Sequence, residues 1–201
     1  MKGRFLCASS FMLAMAMAMA MALPAGAQGT IAPVDQQVAA AILPLPAEYR
    51  ATATVLGYAA DGKLTTLRKG TGPMTCLADD PKIQAFHVAC YHDAMEPFMA
   101  RGRDLRQSGV NGPQVDTVRF REAKAGTLKV PTNPSSLYSL TGGTGFDPKT
   151  GTAPGARWLY VVYIPYATSA TTGLSDKPQD SAPWIMFAGT PKAHIMFTPR
   201  M

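Results

Sequence analysis

Beyond Leu23 this 201-residue chain has no apolar run of membrane-spanning length, so nothing downstream of that point is expected to sit stably in a bilayer. Cysteine is scarce. There are three, Cys7, Cys76 and Cys90, and no two are close enough to form the tight pair that structural zinc sites usually carry. No Gly-x-Ser-x-Gly elbow is present, and none of the serines has a sequence context pairing it with a His and an acid, so nucleophilic catalysis has no local signature. Gly142-Gly143-Thr144-Gly145 lacks the Lys-Ser/Thr that completes a phosphate loop and reads as a flexible turn. Long blocks of one charge are missing too. Arg101, Arg103, Arg106, Arg119, Arg121 and Lys124 are interleaved with Asp104, Asp116 and Glu122, the pattern of a solvated helix face rather than of a nucleic-acid or anionic-lipid surface. There is no internal repeat.

What is present begins with the first 27 residues. Lys2 and Arg4 precede an apolar run from Phe5 to Leu23, followed by Ala25-Gly26-Ala27, the three parts of a secretory signal peptide with cleavage between Ala27 and Gln28. The run is close to the ~20 residues that span a hydrocarbon core, so an uncleaved anchor is the alternative. Residues 28–201 are then expected to form one exported domain, periplasmic or secreted. Its formal charge falls from +6 to +4 once Lys2 and Arg4 are removed. Cys7 leaves with the signal. The remaining pair, Cys76 and Cys90, reads as one disulfide in an oxidising compartment; the competing reading is a zinc site with His87 and His92.

Along the exported part, Asp35 is placed as the cap of a short helix ending at Ile42, before Pro44 and Pro46. Ala51–Tyr58 and Leu64–Lys69 flank Asp61-Gly62 and predict a hairpin, with Pro73–Leu77 as a third strand. From Tyr91 the apolar spacing becomes helical through Leu105, with Pro97 tolerable only in the first turn. Gln114–Lys124 is read as a second helix, with a strand as its alternative. Leu137–Leu140, Trp158–Ile164, Trp184–Phe187 and His194–Phe197 are β-like runs separated by long Gly/Pro/Thr-rich loops. The expected fold is α+β, an antiparallel sheet with two or three short helices and one disulfide.

Candidate chemistry is sparse. His92, Asp93 and Glu96 would share one helical turn, putting an imidazole and a carboxylate at i and i+4 on one face, where they could hold a metal or share a proton. Each has an ordinary alternative: His92 as a turn residue, Asp93 as a cap, Glu96 as support for the first turn. His194 lies in an apolar strand and alternates with Ile195 and Phe197. A lone imidazole there is most often a hydrogen-bonded structural group; a ligand or general-base role is the sharper alternative. No cofactor is expected, and no metal.

Leu67-Arg68-Lys69-Gly70-Thr71, Thr75-Cys76 and Cys90 followed by Asp93-Ala94-Met95-Glu96 resemble the centre of a family of uncharacterised exported bacterial proteins. Pro183-Trp184-Ile185-Met186-Phe187-Ala188-Gly189-Thr190-Pro191-Lys192-Ala193-His194-Ile195-Met196 resembles the end of the same family. The family has no assigned activity, so the resemblance implies a single exported domain and no reaction. Two functions of different class follow. The first is a non-enzymatic domain binding a small ligand or an envelope protein through an aromatic-bearing sheet: Tyr138, Trp158, Tyr160, Tyr163, Tyr166 and Trp184. The second is a metal-assisted or acid/base hydrolase using His92, Glu96 and His194, which requires those three side chains within a few Å of one another.

Overall fold

In a computed structural model the described residues are 30–180 and 182–197. Residues 1–27, read above as a signal peptide, lie outside them. The described part begins with helix α1 (Val34–Ala41), the single turn α2 (Ala47–Arg50) and the hairpin β1 (Thr54–Tyr58) and β2 (Leu64–Arg68). Gly62 takes φ +75° in the connecting turn, the left-handed conformation that glycine adopts without strain. Then come β3 (Met74–Leu77), β4 (His87–His92), a 3₁₀ turn (Asp93–Met95), α3 (Glu96–Gln107) and α4 (Pro113–Lys124). β5 (Ser135–Thr141), β6 (Arg157–Tyr163), the short α5 (Ser169–Thr172), β7 (Trp184–Met186) and β8 (His194–Phe197) complete the described chain.

All eight strands join one sheet in the order β2-β1-β3-β4-β5-β6-β8-β7. The α+β expectation holds, with two refinements: β1 and β3 pair in parallel, and among the described residues there are five α-helices rather than two or three. Parallel neighbours usually need a long helical crossover. Here β2 itself is the crossover. The chain leaves β2 and passes across the start of β1, where Thr71 and Gly72 N–H both donate to Thr52 O at 2.9 Å and Gly70 N–H donates to Thr54 Oγ1. Arg68 ties down the same spot, donating through Nε to Ala53 O and through Nη2 to Arg50 O.

Both faces of the sheet are covered at its centre. On one, Val38 and Ala41 of α1, with Ile42 and Leu45 just after it, pack over Val55, Met74, Cys76 and Cys90. Across the other lie Met95 and Met99, against Tyr91, Val161 and Tyr163. β4 is consequently buried on both sides, and its Val-Ala-Cys-Tyr core shows none of the polar alternation of a half-exposed strand. α1 starts one residue earlier than Asp35; the conformationally fixed Pro33 is its N-cap, and Asp35 sits in the first turn, where the helix dipole favours its charge. Pro97 does lie in the first turn of α3.

Candidate functional site

Register fixes which side chains share a face. Cys76 lies opposite Cys90, Cys90 opposite Tyr138, Tyr138 opposite Tyr160, and Tyr160 opposite Phe197, one row crossing five strands. The two cysteines form the disulfide, and both are fully buried beneath α1. Their sulfurs are therefore not thiolates, which removes the zinc reading with His87 and His92. Cys90 Sγ lies 3.1 Å from Ala41 O; a disulfide sulfur carries no hydrogen, so this is a packing contact with the end of α1.

From Tyr138 onward the row emerges from under α1. Tyr138 and Trp158 each meet Tyr160 edge to face, with centroids 5.8 and 5.9 Å apart, the arrangement that ring quadrupoles favour. Tyr160 is 37% exposed and Phe197 38%. Val162 and Ile195, paired across β6 and β8, extend the apolar surface on that face. Of the six aromatics expected to form such a surface, Tyr138, Trp158 and Tyr160 do so. Tyr163 is buried on the opposite face, and Trp184, opposite Met196, shares that opposite face. Tyr166 is exposed in the loop after β6, in a left-handed conformation. Phe197, which extends the row, is legible only once β6 and β8 are paired.

The trio proposed for acid/base chemistry is not assembled. His92 is the last residue of β4, paired with Met74, so the i and i+4 relation to Glu96 does not span one helical turn. Its Nδ1 accepts the Ala94 N–H at 3.1 Å and caps the 3₁₀ turn. Glu96 turns to the other face of the sheet. Its carboxylate accepts the hydroxyl of buried Tyr91 and the guanidinium of Arg103, and Arg103 Nη1 also donates to the Tyr91 oxygen at 2.8 Å. Burial, then the Glu96 carboxylate, push the Tyr91 phenol up. His194 lies three strands from His92, roughly 14 Å at the usual strand spacing, and on the opposite face. Compared with family models, curated proteins and solved structures, the chain matches none.

His194 has surroundings of its own. Its ring packs against Tyr163 at 4.9 Å and Phe187 at 5.8 Å between centroids. Nδ1 lies 2.7 Å from Lys192 O; a carbonyl only accepts, so Nδ1 carries the proton and the neutral ring keeps its lone pair on Nε2. Burial holds its pKa down, more than offsetting the hydrogen bond to Lys192 O, and the nearby Lys192 charge adds to the lowering. Next to it Lys192 Nζ donates to Asp116 Oδ2 at 2.8 Å and sits 4.5 Å from the Phe187 ring centroid. The other Asp116 oxygen accepts Arg119, whose guanidinium is buried, lies over the Phe98 ring and donates to Phe98 O. Arg119 is thus not on a solvated face as its charge pattern suggested. It is buried because α4 turns it inward against α3. Among the described residues no three His, Cys, Asp or Glu side chains converge in a metal-ligating group.

Proposed function

We propose that this chain is an exported domain of the bacterial cell envelope that binds a ligand or partner protein through the aromatic row Tyr138, Tyr160 and Phe197, flanked by Trp158. The observation that carries the reading is the register: three aromatic residues occupy consecutive positions across β5, β6 and β8, and Tyr160 and Phe197 are each more than one-third exposed. Rings held by mutual edge contacts, as Tyr138, Trp158 and Tyr160 are, lose little freedom on binding, which suits a recognition surface. The disulfide at the inner end of the same row holds β3 to β4 and gives that surface a rigid support. Export is the remaining part of the proposal, supported by the signal-like residues 1–27, by the resemblance to exported bacterial proteins, and by a disulfide, which persists in oxidising compartments.

A photo-crosslinking amino acid placed at Tyr160, and separately at exposed Tyr49 as a control, tests the surface in the exporting cell. A discrete adduct from position 160 and none from 49 is expected. No adduct at 160, or equal labelling at both, overturns it. Intact mass of the recovered protein tests the export part, with a chain starting at Gln28 expected.

A further inference from the structure

On the α1 side of the sheet lies a pocket of about 190 Å³ that none of Tyr138, Trp158, Tyr160 and Phe197 lines. It is built by four segments: α1 and the chain before it with Gln37 and Ile31, the end of β1 with Tyr58, the β3–β4 loop with Asp79 and Phe86, and the β5–β6 loop with Phe146. Gln37 forms a fixed wall. Its amide donates to Ala32 O and Tyr58 O and accepts Tyr58 N–H, so both of its N–H donors are spent within the protein.

Three aromatic rings line this pocket, and the single charged residue among the described lining residues is acidic, Asp79. Asp79 Oδ1 accepts the His87 backbone N–H at 2.8 Å, and no Lys or Arg among the described residues pairs with its carboxylate. Burial raises its pKa, the sign of a carboxylate short of compensation. The neighbouring His87 ring does not supply a full positive charge near neutrality, because burial holds its own pKa below the usual value. Ring faces are negative and attract cations, most strongly where water is excluded. An uncompensated carboxylate adds to that attraction. Size sets the other limit, since the volume is close to the ~150 Å³ that admits a benzene-sized guest and below the ~300 Å³ typical of larger ligands.

We infer that this pocket binds a small organic ammonium ion, its cationic head held among Tyr58, Phe86 and Phe146 and facing Asp79. The site is independent of the aromatic row. Choline and its neutral isostere 3,3-dimethylbutan-1-ol, which share shape and differ in charge, are the probes. Titrated into the ¹⁵N-labelled protein, choline is expected to shift the amides of Gln37, Tyr58 and His87 saturably, with the isostere at least about tenfold weaker. Asp79→Asn keeps the acceptor for His87 N–H and should weaken choline by a similar factor, roughly tenfold; Phe146→Leu, on the opposite loop, is the second variant if the first does not fold. Equal binding of the two probes, undiminished binding to the variants, or no saturable shift with choline overturns the inference.

Discussion

Opening the Cys76–Cys90 bridge separates two contributions that the fold combines at one point. The bridge closes a loop with a sequence separation of 14, for which the chain-entropy relation gives about 3 kcal/mol. That is a large share of the ~5–15 kcal/mol by which a domain is stable. Reduction in place leaves both sulfurs inside the core, so the reduced protein should lose the entropic part alone. For a domain of this size ~3 kcal/mol corresponds to a fall in Tm of roughly 6–12 °C. A small gain offsets it: once reduced, Cys90 carries an S–H within 3.1 Å of Ala41 O and acquires a real donor. Replacing both residues, Cys76→Ala with Cys90→Ala, also removes two sulfurs from a fully buried cluster with Ala41, Leu45 and Val55, adding about 1–3 kcal/mol of lost packing. The expected order of Tm is oxidised, then reduced, then the alanine pair, by calorimetry with intact mass confirming the redox state. A reduced protein melting within about 2 °C of the oxidised one would refute the loop-closure reasoning. An alanine pair no less stable than the reduced protein would refute the packing part.

Gly70→Ala should destabilise by about 2–4 kcal/mol, because a Cβ there would lie 2.2 Å from Thr52 O, a backbone atom that cannot rotate away; urea unfolding reads it, and a change below about 0.5 kcal/mol would contradict the close crossing. Stability should also fall in acid in two stages. His194 and His87 have depressed pKa values when folded, so below about pH 6.5 the unfolded chain takes up protons first and stability drops as pH falls towards the folded values. His194→Gln should flatten its share of that slope. Asp116 is also depressed: burial opposes ionisation, yet the Lys192 and Arg119 hydrogen bonds more than offset it. Its contribution is fully present above its ordinary value and lost as pH falls through the folded one. Asp116→Asn, which leaves buried Arg119 without a charge partner, should cost about 2–3 kcal/mol at neutral pH after allowing for the partial exposure of Asp116.

Local signals carried much of the fold. Asp61-Gly62 announces the first hairpin, Pro97 marks the start of α3, and the β-branched and aromatic runs in the last third became β5 to β8. The central strand escaped. His87–His92 contains Val, Ala, Cys and Tyr in sequence, and a strand buried on both faces has no alternation to reveal it. That omission displaced the candidate site, since His92 read as helical is in fact the end of β4. The parallel pairing of β1 with β3 is equally silent in local sequence, because it depends on which edge of the hairpin receives β3. The aromatic surface was half legible. Alternation along β6 separates Tyr160 from Tyr163, but only cross-strand register shows that Phe197 continues the row and that Trp184 lies on the other side. The pocket around Asp79 draws its walls from four separate segments, none of which carries a motif.

The segment from Lys69 to Pro73, running across the start of β1, bears on how the molecule comes apart and comes together. β1 has neighbours on both sides, and those neighbours are joined to each other over its end. It cannot be peeled from an edge as a terminal strand can; releasing it requires either β2 or β3 to detach as well. Amides of β1 should therefore exchange with those of its two neighbours as one cooperative unit, however close β1 lies to the margin of the sheet. During folding the hairpin, whose contacts are nearest in sequence, is the natural first step, and β3 then adds to its free side. Cys76 and Cys90 are brought opposite each other by the antiparallel pairing of β3 with β4, so the covalent bond records that register once it is attained.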